Sequence, residues 1–437
     1  MTRSILSLTP ILSLAFLGAC VIVDKSLGDI DDEGTDDVAD ESTGDGSEDG
    51  TTGGDTTESG TTAGDTTTTG AQTADSLDIL VVLDNSGSMG AIQTNFVKSV
   101  SSLIDPLDAA GVDWRIGVTT TDNGNPWCPG GQGTPEGGQL VYSACTDRLQ
   151  DFLFADTIDI TEVGCSDLCD LSPGELSTTN GKPWLERVDG ELNIAGDDAI
   201  AALDCLLPQG VNGCGFESPL ESAHLAIVRS VSEGESSFGF IREDAGLLII
   251  IITDEVDCSV NGNDVANSIF DADGDKAFWS DPNSPFPTSA VCWNAGVDCS
   301  GDADDLDCQA ANKNTQGQPS NVANAVLSPP SNYTAVLQAL ASDKGLPVRV
   351  GLITGVDGSG HPHYADVSAT DPAFQDSFGV GPGCEGPDPF DVDNPLQAVP
   401  PVRMLEAIQG FEAGVHSVCD IEGYGVALAA MANTFID

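Results

Sequence analysis

An aspartate and two serines stand at alternate positions in Asp84-Asn85-Ser86-Gly87-Ser88. One carboxylate and two hydroxyls are hard oxygen donors, suited to Mg²⁺, Mn²⁺ or Ca²⁺ rather than to softer metals. Gly87 lets the loop turn tightly, so that the three side chains can converge. Other oxygen donors occur far along the chain: Asp254 in Ile252-Thr253-Asp254-Glu255, Glu217 and Ser218 just before Leu220, and Asp122 in the turn Asp122-Asn123-Gly124-Asn125-Pro126. Each also has a plainer structural role. Asp254 would serve as a helix cap, Glu217 as a first-turn acid on the following helix, and Asp122 as a turn initiator.

Catalytic constellations are missing. A serine triad needs a positioned histidine, and the four histidines are scattered. The Gly-x-Ser-x-Gly elbow of α/β-hydrolases does not form around Ser86. Neither a Gly-x₄-Gly-Lys phosphate loop nor a Gly-x-Gly-x-x-Gly opening follows a strand. A metal-assisted hydrolase built on Asp84 and Asp254 has no evident general base. Binding rather than catalysis is the expectation. Asp271-Ala272-Asp273-Gly274-Asp275 begins like a calcium loop, but Lys276 and Pro282 stand where an EF-hand needs glycine and glutamate. His361-Pro362-His363 lacks further nearby ligands and reads as surface loop.

The elements that position these residues follow from apolar patterning. Ile79-Leu80-Val81-Val82-Leu83 runs straight into Asp84, and Leu247 to Ile252 runs into Thr253-Asp254. Continuous apolar runs of this length, bounded by polar turns, read as strands buried on both faces of a parallel sheet. Trp114–Thr121 and Val348–Ile353 are further strands. Helical spacing occupies Ala91–Leu107, Ile200–Leu207, Leu220–Val231, Tyr333–Leu340, Val402–Phe411 and Tyr424–Phe435. The alternation predicts an α/β fold: a doubly wound, mostly parallel sheet flanked by helices. Asp84, Asp122 and Asp254 then share the carboxyl edge of that sheet, where open α/β sheets bind ligands. Residues 125–195 and 257–325, rich in Cys, Asp and Gly, are expected to be disulfide-stapled insertions, and about 356–398 a loop.

The Asp-x-Ser-x-Ser motif after an apolar strand resembles the metal-ion-dependent adhesion site of the von Willebrand factor A (vWA) family. The resemblance covers residues 77–437. It implies a divalent cation as cofactor, held by Asp84, Ser86, Ser88 and Asp254, with its last coordination position open to a carboxylate of a protein or other macromolecular partner. Two departures stand out. Glu255 occupies the place of the family's usual glycine after the aspartate. The loop threonine of the second motif is missing, since counting back from Leu220 lands on Cys214. Glu217, Ser218 and Asp122 are the substitutes that the sequence offers. The alternatives are a structural module of an envelope assembly without metal dependence and, behind it, the metal-assisted hydrolase.

The N-terminus points to export. A short basic start precedes Ile5–Phe16, too short an apolar run to span a bilayer, and Leu17-Gly18-Ala19-Cys20 resembles a bacterial lipobox. On that resemblance residues 1–19 are a signal peptide, Cys20 is lipidated, and the membrane is reached through the lipid alone. Residues 20–75, built from Asp, Glu, Gly, Ser and Thr, cannot bury enough surface to order and are expected to be a disordered acidic tether, leaving 76–437 as the folded part. The whole looks like a bacterial surface lipoprotein, facing outward or into the periplasm. Val21 after Cys20 favours the outer membrane in a Gram-negative cell. Removing Cys20 from thirteen cysteines leaves twelve, an even number that in an exported chain implies disulfides. Nearness along the chain suggests Cys165–Cys169 and Cys205–Cys214. The net charge of −56 excludes nucleic acid, whose phosphates would be repelled.

Overall fold

A computed structural model describes residues 75–125, 127–128, 135–154, 158–262 and 266–436. The expected signal peptide, the expected lipidation site Cys20 and the expected tether up to residue 74 lie outside the described residues.

Five strands form the parallel centre: β1 (Ser76–Leu83), β2 (Asp113–Thr120), and, after two short strands β3 (Leu185–Val188) and β4 (Glu191–Leu192), β5 (Gly246–Ile252), β6 (Val348–Thr354) and β7 (Glu412–Ser417). The order across the sheet is β7-β6-β5-β1-β2-β3-β4. β1 pairs in parallel with both β2 and β5, β6 with β5 and β7, while β3 and β4 add an antiparallel edge. The chain moves outward from β1 in one direction, then returns to β1's other side at β5. That reversal is a topological switch point, and it lies between the strands that end in Asp84 and Thr253.

The helices outside the second insertion and the 356–398 segment are α1 (Gly90–Ser99), α2 (Ser101–Ala110), α3 (Ala199–Leu206), α4 (Pro219–Val231), α5 (Pro330–Lys344), α6 (Val402–Ala407) and α7 (Tyr424–Asn433). Alternate residues of β1 point to opposite faces. Leu77, Ile79, Val81 and Leu83 pack with Phe96 of α1, Leu103 of α2 and Leu428 of α7. Leu80 and Val82 pack with Ile227 of α4, Leu337 of α5 and Met404 of α6. Both faces are covered, which is why β5 and the Ile79–Leu83 part of β1 are continuously apolar rather than alternating. A third apolar cluster, including Phe270, Trp279, Trp293 and Val402, sits beneath the second insertion.

The fold class is the expected one, and several boundaries differ. The helix predicted over 91–107 is interrupted at Val100, whose N–H turns back to the Val97 carbonyl and tightens the turn there. The first insertion is not wholly outside the sheet, because β3 and β4 within it extend the main sheet beyond β2. The helix expected to run to Phe411 ends at Ala407, and β7 follows it. The loop expected over 356–398 contains a helix at Pro372–Phe378 and a hairpin pairing Cys384–Gly386 with Leu396–Ala398.

Six disulfides join the twelve cysteines: 128–214, 145–165, 169–205, 258–292, 299–308 and 384–419. Both pairings suggested by proximity are wrong. Cys165 and Cys169 lie on one helical turn, where the Cys169 N–H bonds the Cys165 carbonyl. Side chains four apart on a turn have Cβ atoms about 5–6 Å apart, too far for a disulfide. Cys205 ends up beside Cys169 and Cys214 beside Cys128, brought there by long loops that sequence distance does not reveal. Such a disulfide set fits an oxidising compartment. No helix among the described residues is long and apolar enough to cross a membrane.

Candidate functional site

Register builds the site. Leu83 is level with Thr120 on one side and Ile252 on the other, and Ile252 is level with Ile353. One residue further on, Thr121, Asp84, Thr253 and Thr354 therefore form a row along the carboxyl edge. The ladder continues through this row, with the Asp84 N–H donating to the Ile252 carbonyl at 3.0 Å and the Thr253 N–H to the Ile353 carbonyl at 3.1 Å.

Asp84 is fully buried and takes hydrogen bonds from neutral groups. The Ser86 N–H reaches its Oδ1 at 2.8 Å and the Thr253 hydroxyl its Oδ2 at 2.5 Å. The Ser86 and Ser88 hydroxyls are 3.2 Å apart, so the two serines turn toward each other as the motif requires. Ser86 is buried and Ser88 is exposed, which makes Ser88 the site's opening to solvent. Gln93 of α1 pins the loop from below. Its Nε2 donates to the Asp84 and Gly210 carbonyls, and its Oε1 accepts from the Gln209 and Gly210 N–H groups.

The segment 213–218 crosses above this edge and is fastened to three strand ends. The Gly213 N–H bonds the Asn85 carbonyl, the Ser218 N–H bonds the Thr121 carbonyl, and the Cys258 N–H bonds the Glu217 carbonyl. Gly213 passes so close that a Cβ there would fall on the Asn85 carboxamide. This crossing delivers Glu217 to the site, where the Thr121 hydroxyl donates to its Oε2. Ser218 is spent differently, its hydroxyl donating to the Cys258 carbonyl at 3.1 Å. Asp122 is buried, with Oδ1 taking the Gly124 N–H and Oδ2 the Cys214 N–H. One oxygen thus builds the turn and the other holds the crossing segment at Cys214.

No family model and no curated protein matches the chain. Among solved structures, the chain is similar to the pilus adhesin SpaC from Lactobacillus rhamnosus GG, at 11% identity and a TM-score of 0.30, over 84% of this chain and 31% of the adhesin. The chain thus spans about a third of that protein's length.

Four carboxylates lie along the edge with almost no contact with water: Asp84 is 0% exposed, Glu217 1%, Asp254 5% and Glu255 9%. Burial pushes the Asp84 carboxyl up, opposed by the hydrogen bonds from Thr253 and Ser86. Burial and then repulsion from Asp84 push Asp254 up to about 8, with a hydrogen bond from Ser88 working the other way. Glu217 is raised well above the usual carboxylate range by burial and by Asp84, and Glu255 by burial, Asp254 and Asp84. Asp122 is raised by burial against its two N–H donors. Desolvation and like charge act together here. None of the ion pairs among the described residues reaches any of the four.

Several buried oxygens at this edge also have no partner: Oδ1 of Asp254, Oε1 of Glu217, Oε2 of Glu255, Oδ1 of Asn85 and the hydroxyl of Thr354. Buried polar atoms left in this way cost free energy unless something satisfies them. Among the described residues, no three His, Cys, Asp or Glu side chains stand together as a ready-made metal cage. Serine hydroxyls and water would therefore have to share the coordination. Oxygen-only donors, unsatisfied carboxylates and the lack of a basic partner fit a hard divalent cation in chemical type.

Sequence reasoning found Asp84, Ser86, Ser88, Asp254 and Glu217, which the fold brings to one edge. It missed Thr121, Thr253 and Gln93 as supports. Gln93 did leave a trace, being a polar residue on the buried stripe between Met89 and Val97.

Proposed function

We propose that residues 76–437 form a vWA-type module that holds a divalent cation at the carboxyl edge of β1 and β5 and uses it to bind a macromolecular partner. The observation that carries this reading is the placing of Asp84, Asp254 and Glu217 along one edge at the switch point, buried, with no basic partner and with unsatisfied oxygens on Asp254 and Glu217. Asp84, Ser86, Ser88 and Asp254 would hold the ion, with Glu217 in place of the missing second-motif threonine. A bound divalent cation supplies an electrophilic position that a partner's carboxylate can occupy. The chain's own part is to orient the oxygens: Thr253 and the Ser86 N–H fix the Asp84 carboxyl, Thr121 fixes Glu217, and Gln93 fixes the loop. Exposed Ser88 marks the side from which a partner would approach.

In this reading the chain is an exported lipoprotein, anchored through Cys20 in the bacterial envelope and held off the membrane by its acidic tether. The disulfides support export, and the −56 charge supports a partner drawn by the ion rather than by the surface as a whole. The absence of a ready-made carboxylate cage among the described residues favours one second reading, a structural envelope module without metal dependence.

Titration calorimetry of the full chain with Mg²⁺, Mn²⁺ and Ca²⁺, repeated on Asp84→Ala, separates the two. The cation reading expects saturable binding that Asp84→Ala removes. Wild-type binding that is absent, or unchanged in Asp84→Ala, would leave the structural module. A pull-down from the native cell surface with and without chelator then asks whether partner capture follows the ion.

A further inference from the structure

Asp and Glu make up 70 of the 437 residues, yet none falls between Cys308 and Ser342, a run that leads from the second insertion into α5. Part of that run, Lys313 to Val326, is a closed loop. At its neck the Val326 N–H donates to the Lys313 carbonyl, and Lys313 and Pro319 face each other in an antiparallel bridge. The Lys313 ammonium is consumed there by the Asn294 and Val297 carbonyls and by Asp298 at 2.8 Å. From outside the loop Asn261 grips it, its Nδ2 donating to the Val322 and Ala325 carbonyls. Compact surface loops with their ends tied together are frequently functional.

The loop walls a surface cleft of about 640 Å³ whose polar lining is Asn314, Thr315, Gln316, Ser320, Asn321 and Asn324. Among the described residues no charged side chain lines it. Part of each amide is spent on the loop itself. The Asn314 Oδ1 accepts the Gln316 and Gln318 N–H groups, the Asn321 Oδ1 accepts from Asn324, and the Gln316 Nε2 donates to the Thr315 hydroxyl. The Nδ2 of Asn314 and of Asn321, the Oε1 of Gln316 and the Oδ1 of Asn324 have no protein partner among the described residues.

We propose that this cleft binds a neutral carbohydrate chain, independently of any cation at the carboxyl edge. Side-chain amides offer a donor and an acceptor side by side, which the hydroxyls of a sugar, each donor and acceptor at once, can meet. Exposed Pro319 and Ala323 in the lining supply small apolar surfaces for the C–H groups of a sugar ring. The volume lies in the range of about 300–1,000 Å³ typical of ligand sites, but the lining is polar where most such sites are apolar, so a lipid gains little there. A peptide is commonly held by a free strand edge or by apolar side-chain pockets, and the lining residues offer neither. An acidic glycan is repelled by the net charge of −56, which a neutral one does not feel.

The test screens the full chain on an array of neutral oligosaccharides of glucose, mannose, galactose and N-acetylhexosamines, with dextran sulfate and an uncharged Gly-Ser peptide beside them. Calorimetry with the best-bound sugar then compares the wild type with Gln316→Ala, Asn324→Ala and Ala323→Trp. All three positions are exposed, and circular dichroism checks that each variant is folded. Saturable binding to a neutral oligosaccharide is expected, weakened about tenfold in each alanine variant and abolished in Ala323→Trp, whose larger ring fills the cleft. Affinity should be equal with and without chelator. No binding to any neutral sugar, capture of the sulfated polymer or the peptide instead, or binding that Ala323→Trp leaves intact would overturn the proposal. So would binding that chelator removes, since that would move the sugar to the carboxyl edge.

Discussion

Asp78 near the start of β1 and Asp84 just past its end are both fully buried, and their surroundings differ in one respect. Arg242 reaches Asp78 with its side chain at 2.8 Å and its N–H at 2.6 Å, and Lys344 adds a more distant positive charge. Asp84 has no basic partner: the Thr253 hydroxyl and the Ser86 N–H donate to it, and the Ser86 hydroxyl and the Glu217 carboxyl stand within hydrogen-bonding reach. A similar contrast recurs close to the site. Asp257, three residues after Asp254, is buried against Arg403 at 3.0 Å, with Arg403 also bonding the Ser328 carbonyl. In this chain of few basic residues, buried Asp122 is held by two backbone N–H groups, whereas the buried aspartates Asp78 and Asp257 each have an arginine. The cluster at the carboxyl edge has none, and that difference marks it as a place for a charge supplied from outside.

Breaking the paired side of the comparison should have the largest effect. Arg403→Met leaves Asp257 buried without compensation and should cost about 3–5 kcal/mol in urea unfolding. An effect near zero would mean that buried carboxylates are tolerated here without partners, and the contrast would lose its meaning. Next comes the neutral scaffold of the Asp84 loop. Gln93→Leu strands four buried backbone groups and should cost about 1–3 kcal/mol by the same measurement.

The unpaired side should respond with the opposite sign. Without divalent ions, Glu255→Gln removes a carboxyl whose ionisation burial, Asp254 and Asp84 oppose, and should stabilise the protein on the order of 1 kcal/mol at neutral pH. Destabilisation in ion-free buffer would show that Glu255 already has an internal counter-charge. The smallest effect belongs to Asp204 on α3, which is half-exposed. Burial, with repulsion from Asp198 and Asp170, raises its carboxyl to about 6. The folded state therefore keeps the proton longer than the unfolded chain, and stability present at low pH is lost as pH rises through about 6. Asp204→Asn should raise the melting temperature slightly at pH 7.5 and leave it unchanged near pH 4. An equal shift at both pH values would show that the effect is not electrostatic.

The same contrast explains what could be read in the sequence. β1, β5 and β6 were visible because strands covered on both faces carry long apolar runs, broken only by Asp78 in β1 and Arg349 in β6 before the last residue. β3 and β4 escaped because they are short, and β7 because Glu412-Ala413-Gly414-Val415-His416-Ser417, on the sheet edge, is polar at half its positions. Asp84 and Asp254 were legible because each directly ends an apolar run, so one-dimensional position fixes where they lie in space. Glu217 was nominated from its neighbourhood alone. Its contact with Thr121 depends on strand register and on a loop held by Cys128–Cys214, a pairing across 86 residues. Asp257–Arg403 and Asp78–Arg242 span similar or greater separations and could not be read at all. Long-range partnership is what the sequence hides, and here it separates a structural carboxylate from a candidate ligand.

The central claim is that the carboxyl edge of β1 and β5 holds a divalent ion, and anomalous diffraction from crystals grown with Mn²⁺ tests it directly. The account predicts an anomalous peak within coordination distance of the Ser86 and Ser88 hydroxyls and of the Asp84 or Asp254 carboxylate. A map with no peak at that edge, or with manganese only elsewhere on the acidic surface, would contradict it.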